Sequence, residues 1–378
     1  MSDTAAARGP LSGIRVLDFT TLLPGPMATL MLAEAGAEVI KIERPGGEDM
    51  RRFEPSWGKE SVMFAMLNRG KKSVAADLKD SRTRERVLAL ARSADVVVEQ
   101  FRPGVMDRLG LGYEAFRAVN PRIVYCAITG YGQSGPRSAR AGHDLNYIGD
   151  AGLLALSSGQ PGHRTLPPAL IADIAGGSYP AVMNILLALR NRDSNGIGCF
   201  IDVSMSESVF PFAYWAIGAG LGAGHWPVDG CDRLTGGSPR YHLYETRDGR
   251  VAAVASLEQK FWEAFAVAIG LDPAFIDDAR DPAASIARVA EIIAGRTAAE
   301  WAPIFDKADC CCSIVQDVRA ALDDPHFKAR GVFAPRLVNE KGETLPAVPV
   351  AIEKALRPGV ATDASAPALG EHNSEFGF

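Results

Sequence analysis

Short apolar runs alternate with segments of helical spacing through the first third of the chain. Ile14-Arg15-Val16-Leu17-Asp18-Phe19 reads as a buried strand. Pro26 to Ala35 reads as a helix, with Pro26 suited to the first turn and Gly36 ending it. Glu38 to Ile42 is a second strand and Val74 to Leu78 a third. Asp80 to Ser93 sets Val87, Leu88 and Leu90 among charges at helical spacing. Asp95 to Val98 is a fourth strand and Arg122 to Ile128 a fifth. Strands alternating with helices predict an α/β fold, a large doubly wound (Rossmann-like) domain with a parallel sheet. Its ligands should lie beyond the carboxyl ends of the strands.

The pattern changes near Gly218. Glycines cluster through Gly230 and Gly236-Gly237, and then Tyr241 to Glu245 and Arg250 to Ser256 read as a hairpin turning at Arg247-Asp248-Gly249. Helical spacing follows over Gln259 to Ile269 and Ser285 to Ala294. We read residues 1–220 as the large domain, 221–330 as a small α+β domain, and 331–378 as a segment returning to the large one. The apolar run Val209 to Gly224 carries a proline and several glycines, falls short of a membrane span, and reads as a buried helix. Phe210, Phe212, Tyr214 and Trp215 within it read as core more readily than as a pocket lining. Met1 to Pro10 lacks the apolar centre of a signal peptide. These features predict a soluble protein with no membrane partner.

Composition narrows the function classes. The 378 residues are 47% hydrophobic and 22% charged, an ordinary globular balance. A net charge of −5 gives no electrostatic support to a nucleic-acid partner. The cysteines are Cys126, Cys199, Cys231, Cys310, Cys311 and Cys312, with no CxxC pair. A zinc site or disulfide framework is therefore not expected, and a reducing cytoplasm fits. The adjacent Cys310 to Cys312 read as small core residues near a turn.

Three constellations carry chemistry. Arg44 follows the second strand, Arg69, Lys71 and Lys72 precede the third, and Arg102 and Arg108 follow the fourth. Cations recurring on strand-flanking loops point to an anionic, phosphate-bearing ligand. The first strand leads into Thr20-Thr21-Leu22-Leu23-Pro24-Gly25-Pro26, not GxGxxG, and no P-loop follows, so a nicotinamide or flavin is not expected. The second constellation is His143 in Gly142-His143-Asp144-Leu145-Asn146-Tyr147, after a loop rich in turn residues. The third is Asp173 in Ile171-Ala172-Asp173-Ile174-Ala175-Gly176-Gly177-Ser178. An aspartate in an apolar stretch suits a helix start, either as a plain N-cap or beside N–H groups that could hold an oxyanion. Pro180 means that the helix begins near Ser178 or kinks.

Over nearly its whole length the chain resembles the family III CoA-transferases, and within that superfamily most of all the α-methylacyl-CoA racemases. Leu23-Pro24-Gly25-Pro26, Ala35 through Gly46, Leu67-Asn68-Arg69-Gly70-Lys71-Lys72-Ser73 and Asn120 through Pro136 carry the superfamily resemblance. Asp173 matches the transferase nucleophile, which the racemases keep as a base. The GHDxNY motif at Gly142 to Tyr147, with Glu258 after the small-domain hairpin, matches the racemases, although Gln259 stands where that family usually has proline. The resemblance implies an interlocked homodimer that binds CoA on the large domain. Arg44, Leu67, Lys71, Phe101, Arg102 and Arg108 are the expected CoA contacts. It also implies that Glu258 reaches His143 across the subunit boundary, with no cofactor beyond the CoA of the acyl-CoA substrate. Two reactions follow. One is two-base proton transfer at C2 of a 2-methylacyl-CoA by His143 and Asp173. The other is CoA transfer through an aspartyl-CoA thioester at Asp173.

Overall fold

Near-continuous apolar strands require burial on both faces, and a six-stranded parallel sheet supplies it. A computed structural model of the chain describes residues 9–157, 165–357 and 363–378. The sheet runs in the order Lys72–Ala75, Glu38–Glu43, Arg15–Asp18, Val96–Glu99, Val124–Thr129, Phe200–Ser204. In chain order this is 3-2-1-4-5-6, the doubly wound arrangement. One face packs Leu17, Ile40, Val74, Val97 and Tyr125 against Val87 and Phe116 of the covering helices.

Two strands depart from the sequence expectation. Phe200–Ser204 has no clear apolar signature because it is an edge strand whose first three residues are exposed or half-buried. The third strand lies at Lys72–Ala75 rather than from Val74 onward. Its polar residues are covered from far along the chain: His372 N–H donates to Ser73 O at 3.0 Å and Ala75 N–H to Asn373 Oδ1 at 2.9 Å. The C-terminal segment thus packs on this unit, where Leu337 and Ala347 also cluster with Ala65.

The chain divides into two compact units. The first contains the described residues up to Asp150, then Leu170–Phe210 and Pro325–Phe378. Its longest helix begins as a π-helical stretch, Ala172–Ser178, and continues as an α-helix, Tyr179–Asn195. The wider turn lies directly before Pro180, whose missing N–H removes a regular α-helical bond. By length and composition this helix could cross a membrane. One side of it packs inward: Ala181, Ile185 and Leu189 are buried, and Arg192 pairs with Asp95 at 3.0 Å.

The second unit contains the described residues of Ala151–Ala169 and Pro211–Asp324. Its antiparallel sheet runs Cys312–Ile314, Val251–Val254, His242–Glu245. The hairpin closes at the expected turn, where Thr246 N–H donates to Arg250 O at 2.8 Å. Gln259–Ile269, Pro282–Ile293 and Ala298–Ala308 cover the sheet, with Trp262, Phe265, Trp301 and Phe305 in the core. Of the three adjacent cysteines only Cys310 is core. Cys311 is exposed in the left-handed region at φ 55°, and Cys312 is half-buried in a strand. The helix expected to be buried, here Tyr214–Ala223, is largely exposed, with Tyr214 at 75% and Leu221 at 77%. Phe210 and Phe212 are exposed as well, so the aromatic group is not core within the chain.

Candidate active site

In a doubly wound sheet the connections diverge where strand order reverses, and a crevice opens beyond the carboxyl ends there. The reversal lies between Arg15–Asp18 and Val96–Glu99. A cavity of about 470 Å³ opens at this point, walled by Leu22 to Pro24 after the first strand, Gln100 to Pro103 after the fourth and Ile128 to Gly130 at the end of the fifth. His143, Asn146, Tyr147 and Asp173 share the same walls. The two candidate catalytic groups, separated by thirty positions in sequence, are thus brought into one cavity.

The first wall is clamped from beneath. Leu22 takes φ 61°, unusual for a branched side chain, and its N–H donates to Glu48 Oε2 at 2.7 Å. Lys41 Nζ lies 2.8 Å from Glu48 Oε1 and donates to Thr20 O at 2.8 Å. Thr20 N–H donates to Asp18 Oδ1, and Gln100 ties down both Thr21 O and Gly25 N–H. Burial opposes ionisation of Asp18, but Lys71, Lys41 and the Thr20 and Thr29 hydroxyls outweigh it and hold the carboxyl at about 2. Lys71 belongs to this foundation. Its ammonium, wholly buried, donates to Asp18, Pro26 O, Thr29 and Asn68. The expectation that Lys71 meets a phosphate is not what this arrangement favours, because its donors are filled inside the protein.

The other expected CoA residues are scattered. Phe101 and Arg102 line the cavity. Leu67 is buried with Met50 and Phe64 in a small cluster. Arg44 is exposed and paired with Asp49 at 2.5 Å, and Arg108 is exposed on the helix Val105–Arg108. Glu258 belongs to the second unit, exposed as the N-cap residue of Gln259–Ile269, and its carboxylate makes no capping bond.

Asp173 sits in the first turn of the π-helical stretch, half-buried. Burial and then the nearby Asp144 carboxylate raise its pKa to about 6, against the opposing effect of His143. Its N–H donates to Asp144 Oδ1 at 2.9 Å, and Ile174 N–H donates to Leu170 O at 3.2 Å. The helix therefore starts before Asp173, and these two N–H groups are not the free oxyanion donors expected there. His143 is exposed at the head of the helix Asp144–Asp150, its N–H fixed by Asn146 Oδ1 at 3.0 Å. Tyr147 donates to Gly142 O and braces the turn that carries His143. Sequence reasoning missed Asp144, which is buried and holds the Asp173 backbone. It also missed Gln100, Arg140 and Thr129 in the walls. Asp144 stood within the quoted motif, but an aspartate at a helix start has a common capping role that hides any other.

A sequence model described as CoA-transferase family III matches residues 11–373. Human α-methylacyl-CoA racemase is 33% identical, over 97% of this chain and 94% of its own. Acetyl-CoA:oxalate CoA-transferase of Acetobacter aceti is 32% identical, over 93% of this chain and 92% of its own. Among solved structures, a CAIB/BAIF family protein from Brucella suis superposes with a TM-score of 0.83 at 27% identity, covering 98% of both chains. Racemases and CoA-transferases both stand among these relatives. With the family pattern running across the chain and the cavity at the sheet's switch point, the chain belongs to CoA-transferase family III.

Proposed function

We propose that this protein is a racemase or epimerase of 2-methylacyl-CoA thioesters that works by two-base proton transfer through an enolate. The observation that carries the reading is the pairing of His143 with an Asp173 raised to about 6 in one cavity. A thioester makes the α-proton removable, and inversion at C2 needs one group to take a proton and another to return one. A carboxylate raised toward neutrality is a stronger base than an ordinary aspartate while still ionised at pH 7. His143 serves as the second base, and Glu258 of a second copy of the chain favours its imidazolium.

Arg102 and Phe101 bind the CoA portion at the cavity wall. No group beyond that CoA is invoked. The assembly we infer is a homodimer. Tyr179, Met183, Leu186 and Leu187 recur at helical spacing along the exposed side of Tyr179–Asn195, a stripe suited to burial against a second copy.

The alternative is CoA transfer, with Asp173 attacking the acyl carbonyl, passing through a mixed anhydride and then an aspartyl-CoA thioester. Identity of 38% to mouse succinyl-CoA:glutarate CoA-transferase, over 67% of this chain, favours it. Incubation of a 2-methylacyl-CoA in deuterated buffer separates the two. Deuterium at C2 without an acceptor acid is the expected result. A requirement for a free carboxylate, with hydroxylamine trapping an acyl-enzyme, would assign the transferase reaction instead.

A further inference from the structure

Glu258 is exposed, and among the described residues its carboxylate has no hydrogen bond or ion pair. The chain on either side of it is held by two arginines. Arg233 donates to Leu257 O at 2.9 Å, and Arg240 Nη1 lies 3.5 Å from the same oxygen. Arg240 Nη2 donates to Gln259 Oε1 at 2.8 Å, and the Gln259 amide donates onward to Glu263 at 3.0 Å.

Arg240 is itself anchored. Its side chain is mostly buried, its Nε and Nη2 donate to Asp278 Oδ1 at 2.9 and 2.6 Å, and its guanidinium stands over the Trp262 ring at 5.4 Å. A plain structural ion pair would need Asp278 alone. Arg240 also reaches both neighbours of Glu258 and leaves the Glu258 carboxylate free. Gln259 opens its helix, and Glu258 has the extended backbone, φ −78° and ψ 146°, that a residue before proline adopts. The backbone therefore accepts the proline that the family usually places at this position. This chain has glutamine instead, and Arg240 grips its side chain. A proline ring would fix the segment from within, whereas the arginine fixes it from outside.

We propose that Arg240 is a positioning residue for Glu258, bracing Leu257 and Gln259 so that the carboxylate between them is presented to His143 of a second copy. This rests on the proton-transfer reading, in which Glu258 favours the His143 imidazolium. Inversion at C2 needs one proton shared between His143 and Asp173, and the alkaline limb of its pH profile marks the loss of that proton. A well-placed Glu258 carboxylate holds that limb up.

Arg240→Ala would leave Asp278 buried without its cation, so the test uses Arg240→Lys, which keeps the charge and loses the fork. The substrate is a 2-methylbutanoyl-CoA of single configuration, with inversion followed across pH. Arg240→Lys should lower the alkaline limb by about half a pH unit, and Glu258→Gln by about one. In the Glu258→Gln background Arg240→Lys should move it no further, because the two act through one group. Adding Gln259→Pro to Arg240→Lys should restore the limb. A limb that Arg240→Lys leaves in place where Glu258→Gln moves it, a further shift in the double variant, or no rescue by proline overturns the proposal. Amide hydrogen exchange reads the brace without turnover. Phe261 and Trp262 N–H both donate to Glu258 O at 3.0 Å. In Arg240→Lys they should exchange about tenfold faster, with proline again restoring them, and unchanged exchange overturns the proposal. If Glu258→Gln leaves the limb in place, or the wild type does not invert C2, the role read for Glu258 falls, and the hydrogen exchange alone decides whether Arg240 braces the segment.

Discussion

Replacing Asp144 by asparagine separates the charge of this residue from its hydrogen bond. Asp144 Oδ1 accepts from Asp173 N–H at 2.9 Å, and an asparagine oxygen can accept the same bond. What disappears is a negative charge, the second cause, after burial, of Asp173 standing near 6 instead of 3.8. A displacement of roughly two pH units corresponds to about 3 kcal/mol against the ionised form. Loss of the Asp144 share should lower Asp173 by on the order of one unit. A base must be ionised to accept a proton, so exchange rises with pH through the Asp173 value, and in the variant it should rise earlier. At about pH 5 the ionised fraction would grow from roughly a tenth to roughly a half, while the plateau falls about threefold because the base is weaker. Deuterium wash-in at C2, followed across pH under saturating substrate, measures both effects. An acid limb that stays in place, or moves upward, would refute the electrostatic account of Asp173.

Asp173→Asn should abolish inversion at C2, leaving exchange only from the face served by His143, yet raise stability at neutral pH. A carboxyl raised by folding contributes stability below its ordinary value, and that contribution is lost as pH rises through about 6. The asparagine chain should gain about 1–2 kcal/mol at pH 7 once solvent screening is allowed for, and urea titration at about pH 4 and pH 7 should show the gain only at the higher pH. Lys71→Met should cost about 3–5 kcal/mol by leaving Asp18 buried without one of its two ammonium partners; unchanged urea stability with a raised KM for acyl-CoA would return Lys71 to the ligand. Arg102→Ala should raise KM for acyl-CoA by about tenfold and leave kcat near that of the parent, and the opposite split would place Arg102 in the chemical step.

The parts of the fold legible in sequence are those whose burial is decided locally. Val16-Leu17, Val39-Ile40 and Val96 to Val98 are buried on both faces of a parallel sheet, so their strands appear as unbroken apolar runs. The small-domain hairpin announces itself through Asp248-Gly249, a turn chemistry that needs no distant partner. Lys72-Ser73 could not be read in this way. Lys72 pairs with Glu38 and Glu375, and the Ser73 hydroxyl donates to Glu43 at 2.7 Å. Polar residues thus stand in a strand because a segment some 300 positions away covers them.

The same distinction runs through the site. Asp173 was legible because its apolar flanks leave a carboxylate little reason to be there except at a helix start or a reacting centre. Lys71 has in sequence the signature of a phosphate ligand, a loop lysine next to other cations, whereas the fold turns its ammonium inward. Three of its four acceptors, on Asp18, Pro26 and Thr29, lie 42 to 53 positions away, and only Asn68 is near in sequence. Thr129 carried no signal at all, since threonine at a strand end is an ordinary choice. Its place in the cavity wall follows from the strand ending at the crevice, which only the folded sheet shows. Residue type and spacing can therefore nominate His143 and Asp173, the groups we propose for proton transfer. What positions them, as Asp144 does by accepting the Asp173 N–H at 2.9 Å, is found only by accounting for hydrogen bonds in three dimensions.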